Sequence, residues 1–274
     1  MPHSLTDITN AIEVIAPLHL AAAWDKVGLL VGGDGRAITR ALLTIDVTSA
    51  VLDEAKAVRA DLIVGYHPLL FAPLNRLDGA SWQCRVAMDA VRAGIAIYSP
   101  HTALDAATGG VNDWLIQLLA PDKEAGRLCD IRAILPASTN EPLVGSGRIA
   151  RLEIATTTEE IARKLEPQLG CGRIERSKAD TALAARVHTM CAVCAGSGSS
   201  LLEDAAALGA TVFVTGEMSH HDVLRAHALG LEVLLAGHTN TERGYLPRLA
   251  SALTARTPST EFIVSKVDRD PLTR

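Results

Sequence analysis

The sequence predicts an α/β protein of two pseudo-symmetric halves, arising from an internal duplication, with mainly parallel sheets. Three observations carry that expectation. The string His101-Thr102-Ala103-Leu104-Asp105 recurs as His238-Thr239-Asn240-Thr241-Glu242, each a histidine and a threonine with a carboxylate four positions after the histidine. A longer unit also repeats: residues 49–60 followed by 61–65 match residues 199–210 followed by 211–215, in both cases a helix and then a strand. Finally, hydrophobic residues make up 48% of the chain but aromatic residues only 3%, so the core is built from Ala, Val, Leu and Ile, as in helix-covered parallel sheets.

Taken in order, residues 5–18 place Ile8, Ile12, Val14 and Ile15 at helical spacing behind the capping candidate Ser4. Strands are expected at 28–32 and 38–45, a helix at 48–59 and a buried strand at 61–66. A helix at 82–93, a strand at 95–99 and a helix at 110–119, entered from Gly109-Gly110, complete the first half. The pattern weakens over 121–147, where Pro, Gly, Ser, Thr and Asn cluster, and a domain boundary is placed there. A strand at 148–154, a helix at 158–169 and a strand at 187–195 follow. Strand, helix, strand and helix then run to about 255, and 261–267 reads as a last edge strand.

Composition excludes several function classes. The charge balance of −5, without a dense Lys/Arg stripe, makes nucleic acid an unlikely partner; a ring with a basic lumen would need dispersed residues such as Arg148, Arg151 and Arg173. No apolar run reaches membrane-spanning length and the amino terminus lacks a basic segment followed by an apolar one, so a soluble cytoplasmic protein is expected. Five scattered cysteines suit a reducing compartment. Cys191 and Cys194 have metal or redox spacing but no second pair, and within an apolar strand they read as buried small residues.

The two histidine strings follow apolar runs, so both begin where a buried strand ends, which is where open parallel sheets hold their ligands. Two imidazoles and two carboxylates form a donor set for a borderline ion such as zinc, manganese or iron. His67 is the third candidate: it ends the strand 61–66, and Pro68 biases it towards extended backbone. In the second half the equivalent place is held by Thr215-Gly216-Glu217-Met218-Ser219-His220-His221-Asp222. Ser219 and Asp222 suit a capped helix start there, and Glu217 and His221 are candidates for proton transfer or substrate contact. The turn Gly196-Ser197-Gly198-Ser199-Ser200 meets no nucleotide fingerprint and reads as a tight turn with a serine cap. Asp25, beside a strand start, reads as structural.

Nearly the whole chain resembles the NGG-interacting-factor-three family, the dinuclear-metal-centre hexameric proteins also known as GTP cyclohydrolase I type-2 homologues. The resemblance runs through Trp24-Asp25-Lys26-Val27-Gly28-Leu29, Tyr66-His67-Pro68, Pro100 to Asp105, Gly109 to Asp113, Thr215 to Asp222 and His238 to Gly244. It implies two intertwined α/β domains, here 1–125 completed by 232–274, and 126–231. It also implies a homohexamer, two divalent ions per chain, and metal ligands at His67, His101, Asp105, His238 and Glu242. Where many bacterial members read His-His-Pro this chain has Tyr66-His67-Pro68, so Tyr66, His220 or His221 would complete the second metal position, and the two positions are expected to differ in affinity.

The function expected from these residues is a metal-dependent hydrolase working through a metal-activated water on a small-molecule substrate, with Glu242 the bridging carboxylate; the resemblance implies the GTP cyclohydrolase type-2 kind, and phosphoester or amide hydrolysis fits the same site. The competing expectation is a non-catalytic metal-binding hexamer that presents surfaces to protein or nucleic-acid partners.

Overall fold

The computed structural model describes residues 2–120, 128–177 and 186–272 and has a mixed α/β fold. The first elements are α1 (Leu5–Ile15), β1 (Gly28–Val31), β2 (Arg40–Thr44) and α2 (Ser49–Ala57). They are followed by β3 (Leu62–Gly65), α3 (Trp82–Ala93), β4 (Ala96–Ser99), α4 (His101–Ala106) and α5 (Val111–Gln117). Next come β5 (Leu128–Arg132), β6 (Leu135–Pro136), β7 (Gly145–Ser146), β8 (Arg148–Thr156), α6 (Thr158–Leu169) and β9 (Glu175–Arg176). The chain continues through β10 (His188–Ser197), α7 (Leu202–Ala207), β11 (Val212–Glu217), α8 (His220–Ala228) and β12 (Glu232–Leu235). It closes with α9 (Asn240–Arg243), α10 (Leu246–Arg256) and β13 (Glu261–Val264).

Helix starts follow from side chains that satisfy the otherwise unpaired first-turn N–H groups. Ser4, Thr157 and Ser219 each cap a helix and are answered by Asp7, Glu160 and Asp222 in reciprocal capping boxes. The helix expected at 5–18 stops at Ile15 because Pro17 lacks the N–H needed to continue it. No side chain caps α7, and Ser199 and Ser200 instead form a short 3-10 turn ahead of it, which corrects the expected serine cap.

The chain forms two compact units. One comprises Met1–Leu104 with Tyr245–Arg269, the other Asp105–Gly244 with the tail from Asp270. The expected junction at residues 125/126 lies outside the described residues. The first unit holds a five-stranded sheet in the order β1-β4-β3-β2-β13, in which β4, β3, β2 and β13 are parallel and β1 is an antiparallel edge. Leu42, Ile63 and Ile97 stand in register across its centre and are fully buried. The second unit has a six-stranded sheet, β5-β8-β10-β11-β12-β9, with a parallel centre of β10, β11 and β12. Ala192, Phe213 and Val233 form the matching buried row.

Both centres are strand–helix–strand–helix–strand, and the 150-residue offset that separates Leu42 from Ala192 also separates Ile63 from Phe213. The halves differ at their flanks: β13 joins β2 in parallel, whereas β8 lies antiparallel against β10. Sequence reading missed β5, the β6–β7 pair and β9. These are short or largely solvent-facing strands in segments where Pro, Gly and Ser suggested only connection.

Arg148 is fully buried, so it cannot line a basic lumen. Its guanidinium pairs with Asp113 and donates to the carbonyls of Gly145 (2.8 Å), Gly147 (2.7 Å) and Ala107 (3.1 Å), which makes it a tie between backbone segments. Among the described residues no helix is long and apolar enough to cross a membrane.

Candidate metal centre

In the first unit the strand ends deliver His67 and His101. His67 follows β3, and its N–H continues the ladder to the carbonyl of Ile45 at 3.0 Å, which holds the residue at the sheet's rim. Its Nδ1 lies 2.9 Å from Asp46 Oδ1, and Asp46 follows β2, the neighbouring parallel strand. His101 begins α4 directly after β4, with φ +28°, a conformation L-residues with a side chain avoid unless their surroundings impose it. Asp25 fastens this turn. The Asp25 carboxylate accepts from His101 Nδ1 at 2.8 Å, from Thr102 N at 3.1 Å and from the Thr102 hydroxyl.

Burial alone would raise the pKa of Asp25, but the hydrogen bonds from His101 and Thr102 outweigh it and hold the carboxyl at about 2. The His67 and His101 ring centroids are 5.4 Å apart. Tyr66, itself buried, meets His67 at 5.2 Å and His101 at 5.7 Å, edge to face. Asp105 lies one turn after His101 on α4, half-buried.

In the second unit His238 follows β12 and Glu242 sits one turn on, in α9. His238 Nδ1 is 2.9 Å from Glu217 Oε1 at the end of β11, and its Nε2 is 3.4 Å from Oε1 of the buried Glu242. Gly196, at the end of β10 with φ +66°, closes on this pair from the third strand. A Cβ there would meet Glu242 Oε1 at 2.7 Å and His238 Nε2 at 3.0 Å, so glycine keeps the space beside the donors open. His220 and His221 are exposed on the first turn of α8 and meet each other edge to face at 5.5 Å.

The three strand-end histidines thus share one arrangement: Nδ1 is engaged by a carboxylate, which favours the tautomer with its lone pair on Nε2. Metal-binding histidines are oriented in this way by outer carboxylates, which also raise their basicity. The donors, neutral imidazole nitrogens and carboxylate oxygens, fit a divalent transition ion; His238 and Glu242 alone offer one nitrogen and one oxygen. Sequence reading found the histidines and their i+4 acids but missed the roles of Asp25 and Asp46. For Asp46 a signal was present, since it too stands at the carboxyl end of a parallel strand. Asp25 is 76 residues from His101 and offered none beyond its place beside a strand start.

The class so defined is a duplicated mixed α/β protein whose strand ends carry carboxylate-oriented histidines. The chain belongs to the Duf34/NIF3 (NGG1p interacting factor 3) family, whose model matches residues 3–271. It is 37% identical over 279 residues to NIF3-like protein 1 of Drosophila melanogaster, spanning 98% of this chain and 88% of that protein. It is 34% identical over 268 residues to a protein of Clostridium perfringens named GTP cyclohydrolase 1 type 2 homolog, spanning 97% and 98%. The fold superposes on the crystal structure of a Bacillus cereus protein related to NIF3 with a TM-score of 0.87, over 100% of both chains at 20% identity.

Proposed function

We propose that the chain binds two divalent ions, zinc, iron or manganese, through His67, His101, Asp105, His238 and Glu242, and that it is a hydrolase of the GTP cyclohydrolase type-2 kind. The observation that carries the reading is the carboxylate bonded to Nδ1 of each of the three histidines, 2.8 to 2.9 Å away in every case. A structural histidine satisfied by the core has no need of that repeated geometry. The homologue's name supports the reaction class.

A bound divalent ion lowers the pKa of a coordinated water and neutralises charge developing on a substrate oxygen. The chain's own residues do the rest. Asp25, Asp46 and Glu217 fix the imidazole rings, Gly196 leaves room at His238 and Glu242, and the exposed Glu217 and His221 exchange protons with substrate. Tyr66 takes the place of a stronger ligand, because a protonated phenol binds a metal poorly at neutral pH, so one ion position is weaker than the other. A cytoplasmic homohexamer is the assembly we propose, on the family resemblance.

Elemental analysis of the purified protein tests the metal reading. Asp105→Asn and Glu242→Gln are each expected to lower metal content while circular dichroism stays unchanged, and Tyr66→His to raise it. Unchanged content in both carboxylate variants would remove the proposal. Turnover of GTP lost on chelation and restored by one defined ion tests the hydrolase.

A further inference from the structure

Trp24 and Phe71 are 59% and 50% exposed, yet they lie together, with ring centroids 5.9 Å apart and planes tilted by 58°. The Trp24 ring also meets the His101 imidazole edge to face, at 6.1 Å and 73°. Two large aromatic side chains are therefore presented to solvent next to an imidazole whose orientation is fixed.

Their backbone supports are rigid. Ala22 N donates to the Thr102 hydroxyl at 3.0 Å, Asp25 N donates to the carbonyl of Ala22 at 2.9 Å, and the Asp25 side chain accepts from His101 and Thr102. Trp24 is held between these ties. On the other side Leu69 is buried in the core of the unit and Leu70 packs against it, so the chain is anchored just before Phe71 turns outward.

The same two loops that place Trp24 and Phe71 also place Asp25 and His67. Packing does not account for the pair, since both rings keep about half of their surface in water. Ligand sites combine such aromatic walls with a few oriented polar groups.

We propose that Trp24 and Phe71 form a stacking platform for the planar heteroaromatic ring of the substrate, a purine base, which leaves the remainder of the molecule beside His101. This rests on the hydrolase reading above and names its substrate class. With the two rings tilted by 58°, one of them takes the face of the base and the other closes on its edge; every base offers a π-face to an exposed aromatic ring, whatever its hydrogen-bonding edge.

Calorimetric titration of the full chain with GTP and with ribose 5-triphosphate, which lacks the base, tests the platform, with metal content measured on each sample. GTP is expected to bind the wild type more tightly than ribose 5-triphosphate. Trp24→Ala should weaken GTP on the order of 10- to 100-fold and leave ribose 5-triphosphate unchanged; Phe71→Ala should act in the same direction, and Trp24→Phe should retain most of the affinity. Equal affinity of the wild type for the two ligands, an unaltered GTP affinity in both alanine variants, or parallel loss of both ligands would overturn the proposal. A chain that lacks metal but still prefers GTP in the Trp24-dependent way would instead overturn the metal reading and leave the platform standing.

Discussion

At the scale of single residues, the decisive groups are carboxylates that need touch no ion. Asp25 is the most constrained, because one oxygen takes the His101 proton and the other takes two donors from Thr102. Asp25→Asn removes the carboxylate that orients the His101 ring, and its amide group must face either the imidazole N–H or the Thr102 donors. Metal affinity, read by competition with a chromogenic chelator, should fall by about 10- to 100-fold, and the fold should survive. Wild-type affinity in this variant would show that Asp25 only fastens the loop.

At the scale of elements, the ends of parallel strands hold the histidines, their acids and Gly196. Gly196→Ala meets two obstacles: a left-handed φ of +66°, which costs a residue with a Cβ about 1–2 kcal/mol, and the crowding of His238 and Glu242. Gly209→Ala is the control, since Gly209 has φ +87° and an added methyl group there would find nothing within 4 Å. Both variants should lose thermal stability, but only Gly196→Ala should also lose metal.

The central strand β10 carries Cys191, whose thiol burial pushes up to about 12. The unfolded chain releases that proton first, so the contribution is intact below the ordinary thiol range and is lost as pH rises from there to about 12. Urea midpoints should therefore fall across that window less steeply in Cys191→Ala than in the wild type. The duplicated helices and parallel strands were legible in the sequence because burial on both faces leaves unbroken apolar runs such as 62–65 and 212–214. Edge strands such as β9 were not, because a two-residue strand has no period. The strand-end histidines were legible as a local spacing, but Asp25 and Asp46 become their partners only when the sheet brings distant segments together.

At the scale of the whole molecule, one buried cation organises much of the second unit. Arg148 answers Asp113 and four backbone carbonyls, so Arg148→Leu leaves the buried Asp113 carboxylate without its counter-charge and the carbonyls short of a donor. Removing one partner of a buried pair typically costs about 3–5 kcal/mol, and chemical denaturation should show a loss of that order; a loss below about 1 kcal/mol would mean that water replaces the guanidinium.

The chain leaves the first unit after Leu104, just beyond His101, and returns at Tyr245, just beyond Glu242, to supply β13 beside β2. Synthesis from the amino terminus therefore emits everything the second unit needs up to Gly244 before the first can be finished. Until Glu261–Val264 emerges from the ribosome, the Arg40–Thr44 strand keeps one flank of N–H and C=O groups open, a template for pairing with a neighbouring nascent chain. A stall before that segment emerges thus strands an adhesive intermediate for chaperones to cover.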